Sequence, residues 1–158
     1  MRILSDNLIR KDGKWKHMKI RLSEVIWALE GANDEAMYLY SIKEERIILL
    51  MHGMVDGEYD DELYEEIVDG CSEDYIALPD QFDIHEYRMM EDFIGTISLE
   101  SVQKELYRAI RGRGAFRRFK GIVYELDLEK QWYSYRDQQY KNVAIEWCDR
   151  FNIEIIED

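Results

Sequence analysis

The sequence predicts an α+β protein, with a small antiparallel sheet and helices in its N-terminal part and a helical C-terminal half. Short β-branched, aromatic and apolar runs separated by turn residues precede Pro79, the single proline of the chain. After Pro79, apolar residues recur at intervals of three and four, which is the period of an amphipathic helix. Strands followed by helices, rather than alternating with them, favour an α+β fold over an α/β fold.

The elements predicted before Pro79 are short. The predicted strands are Met18–Arg21, Ala36–Ile42, Arg46–His52 and Tyr75–Leu78. The second and third pair as a hairpin across a Lys-Glu-Glu turn. One predicted helix is capped by Ser23 and ended by Gly31, and another is capped by Asp60 or Asp61 and ended by Gly70. The second of these helices buries Leu63, Ile67 and Val68.

The elements predicted after Pro79 are four helices and a terminal strand. The helices are Ile84–Ile94 with Asp83 as its cap, a helix capped by Ser98 that reaches Ile110, Ala115–Leu126, and a long helix from about Leu128 to Phe151. Their buried stripes include Tyr87, Met90, Phe93, Ile94, Leu99, Leu106, Phe116, Phe119, Val123, Trp132, Tyr140 and Trp147. The tail 152–158 is predicted to add an edge strand.

Domain organisation follows from the same patterns. Residues 1–17 have weak periodicity and are interpreted as an N-terminal extension. Residues 18–158 form one α+β domain, with a sheet-and-helix part at 18–78 and a mainly helical part at 79–158. With 46% apolar residues the chain can bury a core, and no linker rich in serine, proline or glycine separates the two parts.

Composition points to a cytoplasmic protein. The net charge of −13 argues against non-specific binding to nucleic acid or anionic membranes. No apolar run approaches the ~20 residues that span a bilayer, and the N-terminal residues lack the pattern of a secretory signal. Cys71 and Cys148 stand alone, which is typical of a reduced compartment. No cofactor motif or metal-ligand spacing is recognised.

Charge is unevenly distributed. Residues 22–103 contain 22 acidic and three basic residues, whereas residues 104–120 contain seven basic residues and one acid. The densest acidic run is Asp60, Asp61, Glu62, Glu65, Glu66, Asp69, Glu73 and Asp74. That run is interpreted either as a solvated face or as a surface for a basic protein partner.

The strongest candidate site lies in residues 111–120, which we call the arginine junction. It contains Arg111, Gly112, Arg113, Gly114, Arg117 and Arg118. Glycines before a helix leave backbone N–H groups accessible, and helix N-termini attract phosphate or carboxylate. Guanidinium groups bind phosphate through two hydrogen bonds. The sequence therefore predicts an anion site, although the motif is neither a Walker A loop nor a dinucleotide-binding loop.

An alternative explains the arginine junction without a ligand. One glycine would end the preceding helix, and the arginines would form ion pairs with acidic residues, namely Asp80, Asp83, Glu86 or Asp92.

A second candidate is the acidic group at the start of the first helix after Pro79. Its residues are Asp80, Asp83, His85 and Glu86. They are candidates to lie around the anion site, and His85 or Glu86 is a candidate general acid or base. The alternative is that the aspartates cap a helix. Adjacent helical residues point about 100° apart, and no second histidine lies nearby in the sequence, so no metal site is predicted.

The remaining candidates favour packing over chemistry. Cys148 lies on the buried face of a predicted helix and is interpreted as a core residue rather than a nucleophile. The aromatic residues Trp132, Tyr135 and Tyr140 fall on the apolar stripe of the same helix, whereas Tyr133 is predicted to be exposed.

Three segments resemble a known family in order and spacing. They are LPDQFDIHEYRMMEDFI at 78–94, RGRGAFRRFK at 111–120, and Trp132-Tyr133 followed by AIEWC at 144–148. They are similar to the bacterial uncharacterised protein family 0158 over about residues 18–152. This resemblance implies a family but no activity, cofactor or catalytic residue.

Three functions remain open from the sequence. The first is a cytosolic binding or regulatory module whose arginine junction holds a nucleotide, a phosphorylated metabolite or a nucleic-acid backbone. The second is a protein-interaction module that uses the acidic run. The third is an enzyme for a phosphorylated substrate with His85 or Glu86 as acid or base, which requires either residue to share a pocket with Arg113 or Arg117.

Overall fold

The computed structural model describes residues 8–11, 14–70 and 72–157, with side chains from His17 onward. The strands are β1 (Leu8–Lys11), β2 (Lys14–His17), β3 (Lys19–Arg21), β4 (Met37–Ser41), β5 (Arg46–Met51), β6 (Met54–Val55), β7 (Glu58–Tyr59), β8 (Tyr75–Ala77) and β9 (Glu154–Ile156). The helices are α1 (Leu22–Gly31), α2 (Asp61–Val68), α3 (Gln81–Ile84), α4 (Glu86–Gly95), α5 (Glu100–Ala109), α6 (Ala115–Glu125) and α7 (Glu129–Arg150). The fold is α+β, as the sequence predicted.

The described chain divides into two compact units. The sheet unit extends to Ile84 and resumes at Lys141, and the helical unit is His85–Tyr140. Helix α7 contributes to both. Part of the predicted N-terminal extension lies outside the described residues, whereas β1 and β2 pair as an antiparallel hairpin.

A five-stranded antiparallel sheet organises the sheet unit. The strand order is β7-β6-β5-β4-β8. Strands β4 and β5 form the predicted hairpin, with Leu39 opposite Ile48. Its Lys-Glu-Glu turn lacks glycine, and Glu45 takes the left-handed conformation that glycine usually supplies. Strand β8, expected from the residues before Pro79, forms the other edge of the sheet.

One core of the sheet unit lies between the sheet and α2. Leu39, Ile48, Leu50 and Ile67 are buried there. Because residues two apart on a strand share a face, Ile48 and Leu50 point to this side of the sheet together. Asp60 is the N-cap residue of α2, and its carboxylate accepts the Leu63 N–H, as the sequence predicted.

A second set of contacts in the sheet unit involves the C-terminal half of α7. The Trp147 ring lies edge-on to Tyr40, and its indole N–H donates to the Ala77 carbonyl at 2.9 Å. The tail forms β9, which pairs in parallel with β3. This pairing confirms the predicted terminal strand.

The helical unit is built around aromatic rings. Phe93, Phe119 and Trp132 are buried, and their ring centroids lie 4.8–6.2 Å apart in edge-to-face arrangements. Tyr135 is half-buried against Phe93. Helices α4, α6 and the first part of α7 bring these side chains together, because their apolar residues recur at helical spacing.

Three predicted helix starts were wrong. Ser23 lies inside α1, because the helix follows β3 directly after Arg21. Ser98 is not the cap of α5. The N-cap residue is Leu99, which makes no side-chain hydrogen bond to the helix. The predicted helix Ile84–Ile94 is interrupted at His85, which has a φ of 56°. Ile84 is the last residue of the one-turn α3, and α4 begins at Glu86.

Some residues of the predicted buried stripes are exposed. Val68, Leu99 and Phe116 lie in the first or last turn of a helix or just before it, where packing is incomplete. Tyr87 is partly exposed, and its hydroxyl donates to the Ile110 carbonyl at 2.9 Å.

Candidate functional site

The arginine junction connects α5 to α6 in the helical unit. Gly112 and Gly114 have φ angles of 71° and 74°, in the left-handed region that favours glycine. Gly114 is the N-terminal cap of α6, and its carbonyl accepts the Arg118 N–H. Two left-handed glycines thus lie in the five-residue connection, 110–114, between α5 and α6.

Arg118 holds this turn together. Its Nε donates to the Ala109 carbonyl at 2.8 Å, and its Nη2 donates to the Arg111 carbonyl at 2.5 Å. Its Nη1 donates to the Arg113 carbonyl. Ala109 is the last residue of α5, so its carbonyl lacks a partner within the helix. Arg118 therefore supplies hydrogen-bond donors to a carbonyl group at the end of α5 and to two carbonyl groups in the turn that follows.

Gly114 also makes room for Arg118. A Cβ atom at Gly114 would lie 2.9 Å from the Arg118 Nη1, closer than side-chain atoms normally approach. At Gly112, by contrast, an added Cβ would meet nothing within 4 Å. Gly112 is therefore required for its backbone angle alone, and Gly114 for both its angle and the space it leaves.

The other cations of the arginine junction are exposed. They are Arg111, Arg113, Arg117 and Lys120. Among the side chains from His17 onward that the structure describes, no carboxylate forms an ion pair with any of them. The internal pairing considered as an alternative is thus not observed.

The backbone at the start of α6 offers free donors. The first N–H of α6 that has a carbonyl acceptor is that of Arg118. The N–H groups of Ala115, Phe116 and Arg117 precede it and have no helical acceptor. Together with the helix dipole, they favour an anion at this end.

Asp80 and Asp83 cap a helix, as in the alternative interpretation. The Asp80 carboxylate accepts the Asp83 N–H at 2.9 Å, and the Asp83 carboxylate accepts the Asp80 N–H at 3.0 Å. This reciprocal pair begins α3 in the sheet unit. Both carboxylates thus have structural partners.

His85 and Glu86 differ in their surroundings. The His85 side chain is exposed, and its carbonyl accepts the N–H groups of Arg88 and Met89 at the start of α4. Glu86 is half-buried and accepts a hydrogen bond from Arg136 Nε at 2.9 Å. The Tyr140 hydroxyl lies 3.4 Å from the other Glu86 oxygen. Glu86 is therefore an ion-pair partner of Arg136 in this structure, and a free base only if that pair opens.

The remaining sequence candidates are mostly core residues. Cys148 is a buried free thiol, and burial raises the pKa of this thiol to about 11. It is therefore protonated at neutral pH and a poor nucleophile. Trp132 and Tyr140 are buried and Tyr133 is exposed, as predicted, whereas Cys71 lies outside the described residues.

Neither a metal site nor a membrane span is found where the chain is described. Within these residues, no three histidine, cysteine or acidic side chains converge where a metal ion could bind. None of the helices there combines the length and apolar character needed to cross a bilayer.

Sequence reasoning missed two arginine contacts. Arg118 was predicted as an anion ligand, but it binds backbone carbonyls. Arg136 was not predicted as the partner of Glu86, since 50 residues separate them in the sequence. The spacing of four between Gly114 and Arg118 was an available indication of the first contact, because residues four apart lie on one helix face.

Comparison with known proteins places the chain in a family. No curated protein and no solved structure matches it. The model of the Uncharacterised protein family (UPF0158) matches residues 15–158, which include the arginine junction, the whole helical unit and the sheet unit from residue 15 onward. The match confirms the resemblance seen in the sequence, and the chain belongs to the Uncharacterised protein family (UPF0158).

Proposed function

We propose that this chain is a binding module that holds a phosphate-bearing ligand at the arginine junction. The observation that supports it is a group of exposed guanidinium side chains around the start of α6 that form no ion pair with any side chain the structure describes: Arg111, Arg113 and Arg117. In a chain of net charge −13, residues 104–120 contain seven basic residues and one acid, which is a pronounced local excess of positive charge.

Electrostatics supports the proposal first. Arg111, Arg113 and Arg117 lie within seven residues of one another, and like charges this close repel. No acidic side chain in the described structure forms an ion pair with these three arginines. A bound anion relieves this repulsion.

The chemistry of the donors favours phosphate. A guanidinium group presents two parallel N–H donors that match two phosphate oxygens. The free N–H groups of Ala115, Phe116 and Arg117 add backbone donors at the positive end of α6. Arg118 keeps the turn in place while its neighbours remain available.

An aromatic residue indicates the kind of phosphate ligand. Phe116 is 41% exposed and lies between Gly114 and Arg117 in the sequence. An exposed ring among arginines provides a stacking surface for an unpaired base. We therefore favour a single-stranded nucleic-acid segment, with nucleotides and phosphorylated metabolites as the other sources of the same chemistry.

The test is a titration of fluorescein-labelled single-stranded RNA and DNA at several salt concentrations, with pyrophosphate and nucleoside triphosphates as competitors. For single strands, the logarithm of affinity falls with the logarithm of salt concentration by about 0.7 per neutralised phosphate. Three arginine contacts predict a slope of about −2. Competition by pyrophosphate alone at low concentration would instead identify a small-molecule site.

Matched variants assign the contacts. We expect Arg113→Met and Arg117→Met each to weaken binding and to flatten the slope by about 0.7. Arg88→Met removes an exposed arginine from the same unit outside the arginine junction, so it controls for net charge. Equal losses in all three variants, or binding without salt dependence, would contradict the proposal.

The cytosolic location expected from the sequence belongs to this proposal. Cys148 is a free thiol in the described part of the chain, which fits a reducing compartment.

A further inference from the structure

A groove in the sheet unit has an apolar floor and an acidic rim, and it lies away from the arginine junction in the sequence. Its floor and walls come from β4, β5, α2 and the segment that ends in α3, through Met37, Leu50, Tyr64, Val68, Leu78 and Phe82. Asp34, Glu35 and Asp80 lie at its rim. We call it the acid-rimmed groove. Its volume is about 340 Å³, at the small end of the ~300–1,000 Å³ typical of ligand sites.

Three of the apolar residues that line the acid-rimmed groove are exposed. Phe82 is 84% exposed on the one-turn α3, and Val68 and Met37 are 49% and 44% exposed. Three such side chains around one concave surface form a patch, rather than the scattered exposure that most proteins show. Contiguous apolar patches with polar rims mark sites where another protein binds.

The rim is held in one conformation by the chain itself. The Asn33 carboxamide oxygen accepts the N–H groups of Glu35 and Ala36 at 2.8 and 3.0 Å. The Gln81 side chain donates to the Ala32 carbonyl at 3.1 Å, which ties the loop after α1 to α3. A preformed groove loses little conformational entropy when a partner binds.

The charge around the acid-rimmed groove selects the partner. Residues 22–84 contain 18 acidic side chains and two basic ones. Among the described side chains, Asp34 of the rim has no cationic partner, whereas a Glu35 carboxylate oxygen lies 3.6 Å from His52 Nε2. Glu62, Glu65 and Glu66 do not line the groove, but they are exposed on α2, the helix that supplies Tyr64 and Val68, and they form no ion pair with a described side chain. Complementary charge speeds association and excludes acidic partners. A second copy of this chain carries the same net charge of −13 and is repelled.

We propose that the acid-rimmed groove docks a basic segment of another protein that inserts one or two bulky apolar side chains beside Phe82 and Val68. Lysine and arginine side chains of that segment then lie over the acidic rim. The volume of about 340 Å³ admits such side chains but not a whole helix or strand, so the segment lies across the groove, as a short helix or an extended peptide, and inserts only its anchor side chains.

A random peptide library of about 14 residues, roughly four helical turns, tests the proposal when selected on the full chain. Counter-selection uses the Phe82→Ala variant, which alters a side chain that is 84% exposed and so leaves the fold intact. We expect enriched peptides to be rich in lysine and arginine around a Leu, Phe, Ile or Trp anchor. Enriched peptides without basic residues, or no enrichment over the variant, would overturn the proposal.

Titration of the most enriched peptide by fluorescence anisotropy then assigns the surface. Phe82→Ala is expected to weaken binding about 10-fold or more, as for a central apolar anchor. Tyr124→Ala removes a 70% exposed aromatic from the helical unit and is expected to bind as the wild type. Equal affinity for all three proteins would place the peptide elsewhere and contradict the proposal.

A charge variant tests the rim separately. Asp34→Asn with Glu35→Gln is expected to weaken binding and to reduce its salt dependence, whereas Asp137→Asn with Glu146→Gln changes net charge equally and has no such effect. Sedimentation of the free protein is the last control. Self-association that Phe82→Ala abolishes would show that a second copy occupies the groove and would overturn the assignment of a basic partner.

Discussion

Charged side chains have different roles at two helix starts of this molecule. At the start of α3, Asp80 and Asp83 each accept the other's backbone N–H, and both carboxylates are used. At the arginine junction, one guanidinium group, that of Arg118, donates to three backbone carbonyls. Its neighbours Arg113 and Arg117 have no ion-pair partner in the described structure.

The difference shows which charges are available to a ligand. A carboxylate or guanidinium group that satisfies the backbone is part of the fold, since removing it leaves peptide groups without partners. A charged side chain that makes no hydrogen bond to the backbone is free to bind a ligand. By this criterion Asp80 and Asp83 at the start of α3 are structural. The arginine junction combines one structural cation, Arg118, with several that are available to a ligand.

The largest expected effect is that of Gly114→Ala. The substitution places a Cβ 2.9 Å from Arg118 Nη1 and forces alanine into a left-handed conformation. We expect a loss of about 2 kcal/mol or more in the free energy of unfolding, since backbone strain of roughly 1–2 kcal/mol adds to weakened Arg118 bonds. Urea unfolding measures it.

Gly112→Ala is the matched control for that substitution. It has the same backbone strain with nothing near the added Cβ, so its expected cost is about 1 kcal/mol. If the two variants are equally destabilised, Arg118 does not depend on the space that Gly114 leaves.

Arg118→Met is expected to have the next largest effect. It removes three hydrogen bonds from a charged donor, but the side chain is exposed, so we expect a cost of about 1–2 kcal/mol. Arg117→Met, one residue earlier, removes an exposed arginine without a described ion pair and is expected to change stability by less than about 0.5 kcal/mol. Thermal unfolding of the two variants side by side makes the comparison, and equal melting temperatures would contradict it.

Sequence patterns predicted the order of elements well because hydrophobic periodicity reflects burial directly. The β4–β5 hairpin, the parallel tail strand β9 and the long helix α7 all lie close to their predicted positions. The helix starts at Ser23 and Ser98 were wrong because capping propensity is weak beside the constraint of a preceding strand or turn. The break at His85 depends on a left-handed backbone that no residue pattern indicates.

The candidate site was only half predictable for a similar reason. Composition and spacing located the arginine junction and its glycine turn. They did not distinguish Arg118 from Arg117, because adjacent residues of the same type differ only in the direction that the helix gives each side chain. The ion pair of Glu86 with Arg136 depends on tertiary packing, which local sequence does not encode.

Apart from the control variants, the smallest effect on stability is expected at the start of α3. Asp80→Ala and Asp83→Ala each remove one half of the reciprocal cap of α3, at about 1 kcal/mol each. Because the two carboxylates cap one short helix together, the double variant is expected to cost less than the sum. Glu30→Ala, an exposed acid in α1, is the control for charge, and additive losses in urea unfolding would show that the two caps act independently.

An NMR titration of the arginine Nε–H groups with a short single-stranded oligonucleotide separates the structural arginine from those proposed to bind phosphate. In the proposed function, Arg118 belongs to the fold while Arg111, Arg113 and Arg117 bind phosphate. We predict that the Nε–H signals of these three arginines shift on titration, and that the signal of Arg118, bonded to the Ala109 carbonyl, stays in place. Shifts at Arg118 alone, or no shift at any of the four, would contradict the account.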